Sequence, residues 1–245
     1  MIQSTRLFIM ALVGSSSLLM ANCPCTANPS CVCPIPTEQS EDDAEAQKKA
    51  LILELYKIGA VKIGEFKLKS GLISPIYFDL RVTMSYPKLL QAIAASFGNL
   101  SADCQYNEVC GVPHAAVPMA TALSLYTNTP LLMARKEGKD HGTKKMVEGV
   151  FNKGDTVLLV EDVITTGGSI LETIQTIEKE GLAVKDVLVF IDREQGGKNS
   201  LINKGYNFRS LCTSTEIVDI LSSEGVIDEA TTQRLKDYLF ANTIH

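Results

Sequence analysis

The chain has 245 residues, of which 45% are hydrophobic, and a formal net charge of -5. That length accommodates one α/β domain of ordinary size with extra sequence at its ends, since domains usually run to about 100–200 residues. The acidic balance supplies no electrostatic reason for nucleic acid as the main partner, so none is expected.

Near the amino terminus, Arg6 precedes LFIMALVGSSSLLMA, a pattern like the charged and apolar regions of a targeting segment with a small-residue cut near Ala21. Gly14 and Ser15 to Ser17 interrupt the run, which is also shorter than the about 20 apolar residues of a membrane-crossing helix. A cytoplasmic protein without a membrane span is expected, with secretion or organelle targeting by residues 1–21 as the alternative. Cys23, Cys25, Cys31 and Cys33 follow in a Pro-, Ser- and Asn-rich stretch. Their C-x-C spacing suits a soft metal, but no histidine lies near and no periodic element surrounds them, which favours a tail. Residues 37–43 are polar and acidic. The expected division is therefore a leader and linker over 1–43 and a folded domain over 44–245.

From residue 44 a helical period places Leu51, Ile52, Leu55 and Ile58 on one stripe, and Gly59 ends it as a carboxyl-terminal cap would. Helix over 87–97, strand over 109–112, helix over 115–125 and strand over 131–134 come next. A strand at 156–160, a helix at 169–180 carrying Ile170, Leu171, Ile174 and Ile177, and a strand at 187–191 repeat the alternation. A last helical pattern holds Ile227, Leu235 and Leu239. Runs such as VLLV and VLVFI, with no polar alternation, suit strands covered on both faces. The expectation is a doubly wound α/β fold with a largely parallel sheet and its ligands beyond the carboxyl ends of the strands. Cys104, Cys110 and Cys212 are scattered singly, as buried thiols would be.

VLLVEDVITTGGS, residues 157–169, carries the chemistry. Gly167 and Gly168 permit a tight turn and close approach of backbone to ligand, while Thr165, Thr166 and Ser169 offer hydroxyls beside the unpaired N–H groups of a helix start. Together they form a cradle suited to a phosphate monoester. Glu161 and Asp162 can accept hydrogen bonds from sugar hydroxyls or hold a hydrated Mg2+. Taken singly, the acids could merely end a strand and the glycines serve a turn. The combination resembles the phosphoribosyl diphosphate motif of the type I phosphoribosyltransferases, and it lacks the GK[ST] of a Walker loop.

Over residues 48–222 the chain resembles the orotate phosphoribosyltransferases. GEFKLKSGLISPIYFDLR, residues 64–81, is similar to the family's small N-terminal hood; the resemblance implies that Lys69 contacts the diphosphate and that Tyr77 and Phe78 border orotate. ARKEGKDHGTKKMVEG, residues 134–149, resembles the catalytic loop, basic and poor in apolar residues as a lid over a polyanion should be. The match assigns Arg135, Lys136 and Lys139 to the diphosphate and puts His141 near the reacting groups. It also implies a homodimer in which the loop over 135–147 completes the neighbouring subunit's site. DREQGG, residues 192–197, matches the segment whose arginine reads the orotate carboxylate, making Arg193 the specificity residue; a lone arginine would instead form a surface ion pair.

GVPHAAVP, residues 111–118, departs from the family, with His114 and Ala115 where many relatives carry tyrosine and lysine. His114 is either a ligand contact or a packed loop residue. The wording of GTKKMVEG and DREQGG is closer to the orotate domain of animal uridine monophosphate synthases than to the free bacterial enzyme. A decarboxylase barrel needs about 250 residues, so none is expected within this chain, and a separate orotidine monophosphate decarboxylase is an expected partner.

The resemblance implies Mg2+-dependent transfer of the phosphoribosyl group to orotate in UMP biosynthesis, with Lys139, His141 and Asp162 as the catalytic residues. Mg2+ would be held mainly by diphosphate and sugar hydroxyls, with water-mediated support from Glu161 and Asp162. The alternatives are transfer to another base, such as a purine, and a non-catalytic nucleotide-binding regulator on the same fold.

Overall fold

The computed structural model describes residues 41–67, 71, 73–135 and 145–244. The leader through residue 40, with its four cysteines, lies outside the described residues, as do Lys69, Lys136, Lys139 and His141.

The first helix, α1 (Glu41–Lys57), begins slightly before the start read from sequence, and its Leu51, Ile52 and Leu55 are buried. Ala60 N–H donates to the Leu55 carbonyl and Gly59 N–H to that of Tyr56, closing the helix end as the position of Gly59 suggested. An antiparallel hairpin follows, β1 (Val61–Lys67) and β2 (Ile73–Phe78), with Val61 opposite Phe78 and Lys67 opposite Ile73. This is the hood. A 3-10 turn over Leu80–Ser85 leads into α2 (Pro87–Leu100).

The main sheet contains β3 (Glu108–Gly111), β4 (Leu131–Ala134), β5 (Val147–Glu148), β6 (Thr156–Ile164), β7 (Ala183–Asp192) and β8 (Asn207–Thr213), in the order β5-β4-β3-β6-β7-β8. Every pairing is parallel except that of short β5 with β4, so the largely parallel sheet is borne out. Helices α3 (Val117–Thr127), α4 (Gly168–Lys179), α5 (Gly197–Ile202), α6 (Ser214–Ser223) and α7 (Glu229–Asn242) complete the fold.

Alternate side chains of each central strand enter two separate cores, because successive Cβ atoms point to opposite faces. Leu158, Val160, Leu188 and Phe190 join α1, α2, α3, α6 and α7 on one side. Val157, Leu159, Val187 and Val189 meet Ile170, Ile174 and Ile177 of α4 and Leu201 of α5 on the other. Cys104, Cys110 and Cys212 are free and buried, as expected. Among the described residues no helix is long and apolar enough to cross a membrane.

One difference from the sequence reading bears on the site. The strand expected to stop at residue 160 continues to Ile164, so Glu161 and Asp162 lie within β6 rather than in the loop after it. Pairing to β7 extends through Ile164 opposite Asp192, and this neighbouring strand keeps the chain extended where the acids alone gave no apolar signal.

At the opposite end of the sheet, Glu108 is only 4% exposed and its Oε2 has no hydrogen-bond partner among the described residues. Burial pushes its carboxyl up to about 7, assisted by the neighbouring Asp155. Backbone donation from Asn152 holds Asp155 below the usual carboxylate value. Folded Glu108 therefore retains a proton that the unfolded chain releases near its ordinary value of 4.5. The associated stability is present in full below that value and lost as pH rises through about 7. Glu108→Gln, which imitates the protonated form, is expected to be more stable than wild type at about pH 8 by roughly 1–2 kcal/mol, with the gap closing near pH 5. Thermal denaturation across that range checks it; parallel pH profiles for the two proteins would refute it.

Candidate active site

The carboxyl ends of β3, β6 and β7 bring three loops together. Val112 N–H, just past β3, donates to the Val160 carbonyl of β6 at 2.9 Å. Arg193 N–H, just past β7, donates to the Ile164 carbonyl, and Gly197 N–H to that of Thr165, each at 3.0 Å. The glycine at 197 is required by space: a Cβ there would lie 2.5 Å from the Ile164 side chain and 2.8 Å from the Thr165 carbonyl oxygen.

After β6 the chain turns through Thr165 and Thr166 to Gly167, whose φ of +83° is left-handed and costs a side-chain-bearing residue roughly 1–2 kcal/mol. Gly167 caps α4, and among the described residues no side-chain cap bonds to the N–H groups of the first turn. Thr166, Gly168 and Ser169 are exposed around that helix start. Unpaired N–H groups, the positive end of the helix dipole and adjacent hydroxyls make a site for a dianion.

Glu161 is buried and its carboxylate accepts from Asp162 N–H at 3.1 Å and from Ser169 Oγ at 3.2 Å. It thus ties the strand to the helix start. Burial, with the carboxyl of Asp162 beside it, pushes the Glu161 carboxyl well above its usual range. Asp162 is only half-buried. The two acids therefore differ in role: Glu161 is occupied internally, whereas Asp162 is accessible to a ligand hydroxyl or a metal-bound water. Among the described residues no group of three or more His, Cys, Asp or Glu could hold a metal ion. This donor set suits an ion carried in on phosphates and sugar oxygens better than one ligated by protein alone.

The hood's Tyr77 and Phe78 are half-buried at the end of β2, and Tyr77 packs on Phe66 with ring centroids 5.4 Å apart. Beyond them, Asp79 accepts from Arg81 Nε at 2.7 Å. That bond is the first cause of the raised Arg81 pKa, but Tyr77 and Asp162 also act on its charge. Sequence reasoning quoted Arg81 without assigning it a place.

Arg193 is half-buried, and among the described residues no carboxylate pairs with it. Burial lowers its pKa while the Tyr238 hydroxyl on α7 opposes that shift. Its loop is tightly held: Asp192 Oδ1 accepts from Glu194 N–H at 2.8 Å, and Glu194, at a left-handed φ of 60°, accepts from Thr215 N–H and Oγ1 at 2.9 and 2.7 Å. Thr215 and Tyr238 lie outside every motif read from the sequence, and Glu194 lies within DREQGG but was given no role there.

Arg135 lies just past β4 and its Nη1 donates to Glu148 at 3.1 Å, so its charge already has a partner in this conformation. His114 is exposed, not packed, in the loop after β3, and Ala115 beside it is half-buried.

A phosphoribosyl transferase domain model matches residues 85–206. The orotate phosphoribosyltransferase of Caenorhabditis elegans is 44% identical over 177 residues, covering 71% of this chain and 78% of that protein. The chain belongs to the orotate phosphoribosyltransferase family. The uridine 5'-monophosphate synthase of Bos taurus is 41% identical over 201 residues, covering 81% of this chain and 42% of that protein. The chain thus spans about two fifths of the length of the synthases it matches. Among solved structures, the orotate phosphoribosyltransferase of Aeropyrum pernix superimposes with a TM-score of 0.64 at 33% identity, covering 73% of this chain and 99% of that one.

Gly197→Ala is expected to drive the loop after β7 away from Thr165, costing roughly 1–3 kcal/mol of stability and weakening phosphate-ester binding at the α4 start. Thermal denaturation and isothermal titration with ribose 5-phosphate check both effects. Wild-type values for both would show that the two loops do not depend on their close contact.

Proposed function

We propose that the protein transfers the phosphoribosyl group of phosphoribosyl diphosphate to orotate, giving orotidine 5'-monophosphate and diphosphate in UMP synthesis. The observation that carries this reading is Arg193, a half-buried guanidinium with no carboxylate partner among the described residues, beside a phosphate cradle. A desolvated arginine without a counter-ion favours an anionic ligand, and its planar fork suits a carboxylate.

In this reading the 5'-phosphate sits on the N–H groups at the start of α4 and the hydroxyls of Thr165, Thr166 and Ser169. That contact anchors the sugar at a fixed distance from the base. Asp162 accepts hydrogen bonds from the ribose hydroxyls, and Glu161 holds the cradle in shape through Ser169. Tyr77 and Phe78 border the pyrimidine while Arg193 takes its carboxylate. The base nitrogen bonds to the anomeric carbon as the bond to diphosphate breaks, through an oxocarbenium-like transition state. Lys69, Lys136 and Lys139 stabilise the negative charge that grows on the leaving diphosphate, and His141 stands near the reacting groups. Arg135 joins them by exchanging Glu148 for the diphosphate. Mg2+, bound mainly by diphosphate and sugar oxygens, would neutralise part of that charge.

The loop over 135–147 belongs, on this reading, to the neighbouring subunit's site in a homodimer, and its closure excludes water. A separate orotidine monophosphate decarboxylase would consume the product. A cytoplasmic location suits these substrates.

Incubating purified protein with orotate, phosphoribosyl diphosphate and Mg2+ is expected to lower orotate's ultraviolet absorbance as orotidine monophosphate appears, and omission of Mg2+ should abolish the change. Efficient turnover of adenine or hypoxanthine instead would refute the assignment of the base. Tight binding of phosphoribosyl diphosphate without turnover of any base would favour the regulator, the reading that Ala115 raises. Lys139→Ala should lower kcat by about 100-fold or more while changing phosphoribosyl diphosphate affinity far less, as loss of a contact made mainly in the transition state does. An unchanged kcat would remove Lys139 from that role.

A further inference from the structure

α4 starts at the glycine-bearing turn after β6, and the residue just past its other end, Glu180, reaches the end of a different strand pair. Glu180 Oε1 accepts from the backbone N–H of Met146 at 3.0 Å, across 34 positions of chain. The carbonyl of the same Met146 accepts from Arg135 N–H at 2.9 Å. The Arg135 guanidinium donates to Glu148, which faces Met133 across the β4–β5 pair. One short pairing is thus tied by three hydrogen bonds at the end where Arg135 stands.

β5 has only two residues, so its own ladder holds it weakly against β4. Ala134 and Val147 are buried in the same core as Ile170, Ile174 and Ile177 of α4. Gly149 brings the chain so near β4 that an added Cβ would lie 2.5 Å from the Leu132 side chain. Apolar packing of this kind sets how closely the elements approach, but it is non-directional. A carboxylate that accepts from a backbone N–H is directional and charge-assisted. Glu180 therefore fixes the Met146 peptide, and the Met146 carbonyl fixes the Arg135 backbone from which the guanidinium extends.

We propose that Glu180 is a positioning residue for Arg135: by holding the Met146 peptide, its carboxylate sets where the Arg135 guanidinium stands for the diphosphate of the sugar donor. The proposal rests on the reading of Arg135 as a diphosphate contact.

Steady-state kinetics of the full chain test it with Glu180→Ala, Glu180→Asp, Glu180→Gln, Arg135→Ala and the Glu180→Ala/Arg135→Ala double variant. Glu180→Ala should lower kcat/KM for phosphoribosyl diphosphate about 3- to 10-fold, the effect of one ordinary hydrogen bond. The KM for orotate should stay within about twofold, because the base makes no contact with Arg135 in this reading. Reach rather than charge decides the contact, so Glu180→Asp should lose as much as Glu180→Ala, while Glu180→Gln, whose amide oxygen still accepts, should recover most of the loss. If Glu180→Ala does not fold, the contrast between the Asp and Gln variants carries the test. In the double variant, loss of the carboxylate should add nothing to the effect of Arg135→Ala, because Glu180 acts through the arginine. Unchanged kinetics in both Glu180→Ala and Glu180→Asp, an equal rise in the orotate KM, or an additive double variant overturns the positioning role, while a large effect of Arg135→Ala leaves the diphosphate reading intact. If Arg135→Ala itself leaves kcat/KM for phosphoribosyl diphosphate unchanged, the diphosphate reading of Arg135 fails and the proposal falls with it.

Discussion

The backbone hydrogen bonds from Arg193 N–H to the Ile164 carbonyl and from Gly197 N–H to the Thr165 carbonyl extend the pairing of β6 and β7 beyond the sheet proper. These contacts bring the turn at the start of α4 and the loop bearing Arg193 into one frame. A substrate that spans both must bridge a distance set by parallel strand pairing, whose geometry is stiff. Gly197 makes the approach possible, because the space its side chain would occupy is filled by Ile164 and the Thr165 carbonyl. Van der Waals packing and hydrogen bonding thus act on the same few atoms.

Around this frame the burial of charge is uneven, and the unevenness organises the chemistry. Glu161 is buried and satisfied by its neighbours, so it shapes the cradle. Asp162 remains accessible to a ligand. Arg193 is partly desolvated without a carboxylate beside it, which leaves its charge for an incoming anion. Arg135, by contrast, is held by Glu148 across the β4–β5 pair. The contrast between two arginines of the same chain comes from their neighbours rather than from their intrinsic chemistry.

Much of the architecture was legible in the chain. VLLV and VLVFI announced strands covered on both faces, and the structure divides their side chains between two cores. The turn at 165–169 was legible because glycines and hydroxyls at a strand-to-helix junction have few other uses. The continuation of β6 through Glu161 and Asp162 was not, since polar residues show no strand periodicity and the extension depends on β7 alongside. Residues 64–81 were recognised as the hood by resemblance, but the hairpin they help form was not read, its exposed and buried positions being too mixed to declare two strands.

By itself the sequence determined the alternating α/β order, the buried strands and the glycine-bearing turn between β6 and α4, all of which depend on residues close together in the chain. Tertiary structure alone decided that Arg193 lacks a carboxylate partner among the described residues and that Ile244 braces a loop about 50 positions earlier. Those relations depend on contacts between distant segments, and electrostatic and hydrogen-bond energies follow separation in space, which spacing along the chain does not specify.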